Sequence, residues 1–257
     1  MPDATINDVS IIIAAYNALE YSKLCMQSIQ DYTPPGYQLI LVNNGSTDGT
    51  KEFFNHIPGA KVIHNEYNRG FAGGYNQGIK AASTRYMVLL NNDCVVSHNW
   101  ISNMLCCIKK EPGIGIVGPR ANRVPGRQRL ERDFQNMEDL HTFTADFNQP
   151  DSVKWFPVSS LSGFCYLMKK ELVEAVGYFD EAYGPGTHED ADYCIRARLA
   201  GFKLFCAGDV FIYHFSHRTF FANNIDLQQL YRYNKYLFNR KWSSKPNEDC
   251  NKLQGRP

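Results

Sequence analysis

The amino-acid sequence predicts an α/β fold with a mostly parallel central sheet flanked by helices. Short apolar runs of strand length alternate with segments whose apolar residues recur at helical spacing, which is typical of successive β–α–β units. The run at 86–96, Y-M-V-L-L-N-N-D-C-V-V, begins with five apolar residues without alternation, as expected of a strand buried on both faces. It leads directly into Asn91, Asn92 and Asp93. Because ligands of open α/β sheets bind beyond the carboxyl ends of strands, we expect a site there.

The predicted elements alternate regularly through the first half of the chain. Each expected strand is an apolar run, and the expected helices end at breakers such as Pro34 and Gly36. Such alternation predicts parallel strands joined by right-handed crossovers. The strands are expected at 9–15, 37–42, 60–64, within 86–96 and at 114–118, and the helices at 18–32, at 51–56, after the glycine-bearing loop that begins at Asn65, and at 100–110.

The second half is organised differently. Residues 119–154 are polar, are expected to be irregular and carry five arginines, which suits either a solvated loop or a lid that faces the substrate. Strand-like segments then follow at 155–170, 202–206 and 210–214, with helices at 171–176, 191–200 and 227–242. The last helix is basic and aromatic, so it either packs against the domain or makes peripheral contact with a membrane surface.

Composition narrows the class of protein. A chain of 257 residues is long enough for one large domain or two small ones, and a formal net charge of +1 gives no argument for nucleic-acid binding. No apolar run approaches the roughly 20 residues of a membrane helix, and we expect no signal peptide because no basic segment leads into an apolar core. The eight cysteines form no C-x-x-C pair, so we expect buried, reduced thiols and a cytoplasmic location.

Five polar segments end predicted strands or open predicted helices, at 16–17, 43–50, 65–76, 91–93 and 188–190. In a doubly wound sheet the loops at the carboxyl ends of the strands converge on one crevice. A carboxylate with two amide neighbours, as in N-N-D, offers the hard oxygen ligands that suit Mg²⁺ or Mn²⁺. Taken singly, each segment also fits a turn or a helix cap, since Asn, Asp and Gly are common there.

The first half of the chain carries I-I-I-A-A-Y-N, V-N-N-G-S-T-D-G-T, N-R-G-F-A-G-G-Y-N-Q-G-I and L-L-N-N-D, and the second half carries S-G-F-C-Y-L-M-K-K, V-G-Y-F-D-E, H-E-D-A-D-Y-C-I-R-A-R-L-A-G and I-Y-H-F-S-H-R. Together these motifs resemble family 2 of the nucleotide-sugar-dependent glycosyltransferases, which have the GT-A fold, and in particular its rhamnosyltransferase-like branch. The resemblance implies one GT-A domain over 1–218, with a nucleotide-sugar half at 9–118 and an acceptor half at 119–218. Residues 219–243 are then a C-terminal helical extension, and 244–257 a tail that we expect to be disordered.

The resemblance implies a binding site for an NDP-sugar linked to UDP, dTDP or GDP. Asn43 stands where the family usually has an aspartate that accepts the imide N–H of the base, and its amide oxygen keeps the ability to accept. Arg69 lies just before a helix whose N-terminus favours an anion, and we expect it to bind phosphate. The implied nucleotide-binding residues are Ala15, Tyr16, Asn17, Asn43, Asn44, Ser46, Asn68, Arg69, Gly70, Gly74, Asn91 and Asn92.

The resemblance also implies a divalent metal, Mn²⁺ or Mg²⁺, held by Asp93 and His214. Asn91 occupies the first position of the family's D-x-D motif, and Asp93 the last. His217 and Arg218 are expected to steady the leaving diphosphate or to belong to a loop that closes over it. Taken by itself, His214 also suits a histidine satisfied within the core.

Asp190 matches the family's catalytic base, and Glu189 is expected to assist it or to orient the acceptor. A pair of acidic residues at a helix start is also favoured by the helix dipole alone. Trp155, Gly163 and Phe164 are expected on the acceptor side, with core packing as the alternative for at least one of the aromatic rings.

The sequence and its resemblance to family 2 therefore predict a metal-dependent glycosyltransferase that moves a sugar to a hydroxyl of a glycan or lipid-linked acceptor in cell-surface polysaccharide biosynthesis. It would work in the cytoplasm or at the inner membrane face. The inverting stereochemistry that we expect is implied by the resemblance alone. A noncatalytic module that binds a sugar nucleotide or glycan is an alternative, which the asparagines at 43 and 91 keep open. A sugar nucleotidyltransferase is disfavoured because A-A-Y-N-A-L-E-Y after the first strand lacks a basic, glycine-rich signature.

Overall fold

The structure is a computed structural model that describes residues 5–216, 218–223 and 225–243. Two sheets are present in these ranges, one of eight strands and one of two. The strands are β1 (Val9–Ala15), β2 (Gln38–Asn44), β3 (Lys61–Asn65), β4 (Tyr86–Leu90), β5 (Cys94–Val95), β6 (Ile114–Arg120), β7 (Trp155–Val158), β8 (Cys165–Lys169), β9 (Lys203–Phe211) and β10 (Tyr213–His214). The helices are α1 (Leu19–Tyr32), α2 (Thr50–Asn55), α3 (Gly70–Ala81), α4 (Trp100–Lys109), α5 (Met137–Phe147), α6 (Lys170–Val176), α7 (Glu189–Leu199), α8 (Arg218–Ala222) and α9 (Leu227–Trp242).

The large sheet has the strand order β3-β2-β1-β4-β8-β6-β9-β7. Its first four strands are parallel throughout, as the β–α–β pattern predicts. β8 runs antiparallel between β4 and β6, β9 is parallel to β6, and β7 closes the edge antiparallel to β9. The carboxyl ends of β1, β2 and β4 therefore lie at one edge of the sheet, where a ligand site is expected.

Helices cover both faces of this sheet, which explains why its central strands are apolar without alternation. In β1, Ile11 and Ile13 point to the face that α1 and α4 cover, whereas Ile12 points to the face that α3, α6 and α7 cover. All three isoleucines are fully buried. The approach of α3 is close: a Cβ at Gly78 would lie 2.2 Å from Cγ2 of Ile12, so only glycine fits at this crossing.

The prediction that residues 119–154 are irregular was wrong for α5. This helix begins after Asn136, whose side chain accepts the backbone N–H of Asp139. Its Leu140 is buried, and its Phe143 and Phe147 pack against Phe211 of β9. The basic residues of the segment concealed this amphipathic helix, although its cap and its apolar spacing are both visible in the sequence.

Two smaller differences concern the second half. The strands predicted at 202–206 and 210–214 are one continuous strand, β9, followed by the short β10, because the chain passes through Gly208 without a turn. Helix α7 starts at Glu189, two residues earlier than predicted, which places Glu189 and Asp190 in its first turn. Seven cysteines lie in the described ranges and all are free thiols, six of them buried and Cys106 exposed.

The C-terminal helix α9 spans the predicted residues and packs against the domain. Its residue Asn234 is buried, and its Trp242 donates the indole N–H to Asp192 at 3.0 Å. Tyr233 and Tyr236, on another side of the helix, are exposed. Among the helices that the structure describes, α9 included, none combines the length and the apolar character needed to cross a bilayer.

Candidate active site

A cleft of about 660 Å³ lies beyond the carboxyl ends of β1, β2 and β4. Its walls come from the loops after these strands, the turn before β8, the first turn of α7 and the segment that follows β10. The βα loops thus converge as the sequence predicts. The predicted site residues that line the cleft are Ala15, Tyr16, Asn44, Asn68, Gly70, Asn91, Asn92, Asp93, Gly163, Phe164, Glu189, Asp190, His214 and Arg218.

Asn44 shapes one wall of the cleft by joining two loops. Its side-chain NH₂ donates to Asn68 Oδ1 at 2.9 Å and to the Gly70 carbonyl at 3.0 Å, and its Oδ1 accepts the backbone N–H of Arg69 at 3.1 Å. Gly70 has φ +74°, and a Cβ there would lie 2.0 Å from the carbonyl oxygen of Gly184. Glycine is therefore required where this loop enters α3.

Asp93 and His214 meet because of a long-range strand pair. β5 and β10 pair antiparallel with His214 opposite Cys94, which brings Nε2 of His214 to 3.2 Å from Oδ1 of Asp93. Both side chains are buried, and Nδ1, the other ring nitrogen of His214, has no hydrogen-bond partner among the described residues. Two donor atoms this close together on the wall of the cleft suit the binding of a cation that both would contact.

The ionisation of this pair suits a divalent cation. Burial works to raise the pKa of Asp93, but the charge of His214, the contact of its ring N–H with the carboxylate and the backbone N–H of Arg218 outweigh burial and hold the pKa below its ordinary value. Cys94 also has its sulfur nearby, yet burial raises the pKa of this thiol well above its ordinary value, so it stays protonated. A carboxylate and an imidazole are thus the available donors, and they fit Mn²⁺ or Mg²⁺ better than a thiolate-seeking metal.

His214 is held in place by one contact to its ring and one to its backbone. Phe164 stacks on it with the ring centroids 5.1 Å apart and the planes at 21°. The backbone N–H of His214 donates to Oδ1 of Asn122 at 2.9 Å. Phe164 is buried and its ring packs on His214, in agreement with core packing, the alternative given for at least one of the aromatic rings.

Glu189 and Asp190 form a second group of ionisable side chains in the cleft. Asp190 accepts the backbone N–H of Gly163 on Oδ2 at 3.0 Å and that of Ala191 on Oδ1 at 2.7 Å. Burial raises the pKa of Asp190, and these N–H donors work against that rise. Burial and the neighbouring Asp190 raise the pKa of Glu189 well above its ordinary value, and its Oε2 is buried with no partner.

Gly163 is needed for this arrangement. A Cβ at this position would lie 3.1 Å from Cβ of Asp190 and 3.4 Å from the ring of Phe71. The missing side chain lets the turn before β8 approach α7 closely enough for the Gly163 N–H to reach the carboxylate. Gly163 therefore contributes to the cleft by positioning the carboxylate of Asp190.

Three predicted nucleotide-binding residues lie behind the cleft wall and not on it. Ser46 accepts the backbone N–H of Asn17 at 2.9 Å and donates to the Ala15 carbonyl at 3.3 Å. Asn43 is buried, and its Oδ1 already accepts the N–H of Ser46 at 3.1 Å. These bonds support the loop that presents Tyr16, so their contribution to a bound base is indirect.

Three further predicted residues are placed elsewhere. Arg69 points to Glu181, with Nη2 and Oε2 3.9 Å apart. Gly74 allows contact between α3 and β1, since a Cβ there would lie 3.2 Å from Cβ of Ala14. Trp155 lies on the edge strand β7 and donates to Asp209 at 2.7 Å, which makes it a packing residue. His217 lies outside the described residues.

Several residues that line the cleft were not among the predicted site residues. Tyr75 donates its O–H to the Leu90 carbonyl at 2.9 Å and to Asn91 Oδ1 at 3.1 Å. Arg123 and Arg129 extend from the basic segment into the cleft, which supports the expectation that part of this segment faces the substrate. The basic clustering was the only signal for these arginines; nothing local pointed to Tyr75.

The segment 218–223 lies against the loop that follows β1. Asn223 donates to the Tyr16 carbonyl at 3.2 Å and accepts from the side chain of Asn17 at 2.6 Å. Thr219 lies 3.5 Å from Asn92. Its first residue, Arg218, donates its backbone N–H to Asp93 at 3.4 Å, so this short segment contacts both Tyr16 and Asp93.

The sheet order and the cleft at its carboxyl edge define a GT-A type of fold. Two solved structures of this class are similar. GalNAc-T7 with UDP, GalNAc and Mn²⁺ has a TM-score of 0.64 at 16% identity, over 80% of this chain and 42% of that one. A mannosyltransferase from Pyrobaculum calidifontis, in complex with GDP-Man and Mn²⁺, has a TM-score of 0.57 at 19% identity, over 80% of this chain and 56% of that one.

The chain belongs to glycosyl transferase family 2, whose profile matches residues 10–177. A similar curated protein is the poly-beta-1,6-N-acetyl-D-glucosamine synthase of Staphylococcus epidermidis, which is 28% identical over 178 residues. That match covers 68% of this chain and 42% of the relative, so the chain spans well under half of that protein's length.

Proposed function

We propose that this chain is an inverting, metal-dependent glycosyltransferase that moves a sugar from an NDP-sugar to a hydroxyl of a glycan or lipid-linked acceptor in polysaccharide synthesis. One observation carries the proposal. A buried carboxylate–histidine pair, with donor atoms 3.2 Å apart, and a buried pair of carboxylates line the same cleft, at the carboxyl edge of the sheet. The first pair suits a metal–diphosphate, and the second suits proton transfer.

The comparisons support the choice of donor and metal. The two similar structures hold UDP with GalNAc and GDP-Man respectively, each with Mn²⁺. The relative from Staphylococcus epidermidis is named as a polysaccharide synthase. We therefore expect a nucleoside diphosphate sugar as donor, with Mn²⁺ preferred to Mg²⁺ because one of the two protein ligands is an imidazole.

Asp93 and His214 would hold the cation, which supplies positive charge beside the leaving diphosphate. Asp93 is ready for this role because its low pKa keeps it ionised at neutral pH. Phe164 prevents the imidazole from rotating away. Arg218 lies at the same end, its guanidinium over the ring of Tyr21 at 5.3 Å, and we assign it to the diphosphate.

Asp190 would take the proton of the acceptor hydroxyl as that oxygen attacks the anomeric carbon. Each carboxylate oxygen has two lone pairs, so Oδ2 keeps one acceptor site beside its bond from Gly163. The raised pKa makes Asp190 a stronger base than an exposed aspartate, and the two backbone N–H donors fix its direction. Glu189, more deeply buried beside it, would orient the acceptor.

The test combines binding with transfer on Asp190→Asn, with the exposed Asp146→Asn as the matched control. A thermal-shift screen of UDP, GDP and dTDP and their sugars, with Mn²⁺, Mg²⁺ or chelator, reports donor binding. We expect Asp190→Asn to keep the metal-dependent shift and to lose transfer by about 10²–10⁴-fold. Surviving transfer would show that Asp190 is not the base. A screen without any nucleotide shift would refute the donor site itself.

A noncatalytic nucleotide-binding module is the second candidate, and Asn91 favours it. At the first position of the metal motif, Asn91 offers no charge, and its Oδ1 already accepts the O–H of Tyr75. A module of this kind would give the nucleotide-dependent thermal shift without hydrolysis or transfer of any bound sugar under either metal.

A further inference from the structure

A second cavity, of about 1290 Å³, adjoins the candidate active site. The two cavities share Pro125, Ser162, Thr187 and Asp190 in their linings. Asp93 and His214 line the first cavity and not the second. The second cavity, which we call the acceptor groove, therefore begins at the proposed base and extends away from the metal pair.

The acceptor groove is basic. Arg127 reaches it from the loop after β6, and Arg232 from the first turns of α9. No carboxylate in the described part of the chain forms an ion pair with either arginine, and Asp190 is the only acidic residue in the groove lining. Two arginines of the same segment differ: Arg123 pairs with Asp133, and Arg129 with Glu131. The groove therefore keeps two positive charges that the described residues do not neutralise.

Both guanidinium groups are oriented by contacts that leave donors free. The guanidinium of Arg127 packs over the ring of Phe156 with its carbon 4.2 Å from the centroid, a stacking geometry that keeps the N–H groups at the edge available. Arg232 donates Nε–H to the Gln228 carbonyl at 3.3 Å, which uses one of its five donors. A planar fork held in this way suits an oxyanion such as phosphate or carboxylate.

The rest of the groove suits a sugar chain. Ser159, Ser160 and Gln228 contribute hydroxyl and amide groups that can hydrogen-bond to sugar hydroxyls. Tyr231 is 49% exposed and rests against His188, with the ring centroids 4.7 Å apart. An exposed ring held by a neighbour presents an apolar face with a polar tip, which matches the mixed surface of a pyranose.

We propose that the acceptor groove binds the acceptor of the transfer reaction and that this acceptor is an anionic glycan, one that bears phosphate or carboxylate groups. This inference rests on the proposed function, because the acceptor hydroxyl must reach Asp190 where the two cavities meet. Charge recognition by Arg127 and Arg232 would lie on the far side of that hydroxyl from the donor.

The test compares two double variants of the full chain. Arg127→Gln with Arg232→Gln removes the groove charges. Arg132→Gln with Arg240→Gln removes equal charge from the same segment and the same helix, outside both cavities. The probes are fluorescent pentamannose phosphate beside neutral mannopentaose, and tetragalacturonate beside its methyl ester, measured by fluorescence anisotropy. The pair that shows charge preference separates phosphate from carboxylate as the source of the anion.

We expect the unmodified chain to prefer the charged member of at least one pair. The groove variant should bind that probe about tenfold more weakly, the effect of losing two charge-assisted contacts at an accessible site, and the control variant should match the unmodified chain. Equal binding of charged and neutral probes, no binding of any probe, or an equal loss in the control variant would overturn the proposal.

Nucleotide thermal shifts on the same proteins separate this proposal from the proposed function. A metal-dependent nucleotide shift without preference for charged glycans refutes the anionic acceptor and leaves the transferase standing. Charge-dependent glycan binding without any nucleotide shift refutes the transferase and leaves the groove as a glycan-binding site.

Discussion

Replacing Asn234 tests whether α9 is an integral part of the domain. This side chain is fully buried between α9 and the loop at 183–187. Its Nδ2 lies 2.7 Å from the Tyr183 carbonyl and 2.6 Å from the Gly186 carbonyl, and 3.2 Å from that of Thr187. Because this loop leads directly into Glu189 and Asp190, Asn234 ties the C-terminal helix to the candidate catalytic carboxylates.

The expected loss of stability in Asn234→Ala depends on how many hydrogen bonds the side-chain NH₂ group can donate. An NH₂ group has two, so at most two of these carbonyls are satisfied fully at one time. Removing a partner from a buried acceptor costs about 1–3 kcal/mol. The two shortest bonds then give an expected loss of about 2–6 kcal/mol in the free energy of unfolding for Asn234→Ala, a large part of the stability of a typical domain.

Urea denaturation measures the free energy, and hydrogen exchange of the amides at 183–187 shows where the protection is lost. Asn239→Ala is the matched control, since Asn239 is on the same helix and exposed. We expect its change to stay within about 0.5 kcal/mol. If Asn234→Ala is as stable as Asn239→Ala and exchange at 183–187 is unchanged, α9 does not support the loop and the reasoning fails.

Two further predictions concern ionisable groups in the cleft. His214→Ala should weaken Mn²⁺ binding by at least about tenfold in calorimetry, whereas the exposed His56→Ala should leave it unchanged; equal affinities would exclude His214 as a ligand. Folding raises the pKa of Glu189, so the stability this residue contributes below its unfolded pKa is lost as pH rises through the folded value. We therefore compare Glu189→Gln with the unmodified protein by urea denaturation from about pH 5 to about pH 8. As the pH rises, the free energy of unfolding of the variant should increase relative to that of the unmodified protein. The expected increase is about 1.4 kcal/mol for each pH unit that lies between the unfolded and the folded pKa of Glu189. A constant difference across this range would contradict the assignment.

The sequence predicts the fold well where burial alone decides the structure. β1 was predicted at its observed bounds because a strand covered on both faces needs an unbroken apolar run. The position of the cleft followed from geometry, since parallel strands bring their carboxyl ends to one edge. α5 was missed because five arginines in the surrounding segment outweighed its four apolar positions.

The site was predicted less completely, because the direction of a side chain depends on its partners in the fold. Asn43 and Arg69 stand at the expected loops, yet their polar groups are engaged by Ser46 and Glu181. The approach of His214 to Asp93 depends on the pairing of two-residue strands far apart in the chain, which no local pattern reveals. The resemblance, and not the periodicity, pointed to that pair.

The C-terminal helix α9 is held against α7, the helix that carries Asp190, by contacts near both of its ends. Asp192, fully buried on α7, lies 2.7 Å from Nζ of Lys241 and accepts the indole N–H of Trp242. At the other end of α9, Tyr231 contacts His188, the residue before the Glu189–Asp190 pair. The helix that carries Arg232 into the acceptor groove is thus attached at both ends to the helix that carries Asp190. Because these attachments fix the distance from the anion-binding arginine to the proposed base, the groove would select acceptors by the spacing between their negative charge and their reactive hydroxyl.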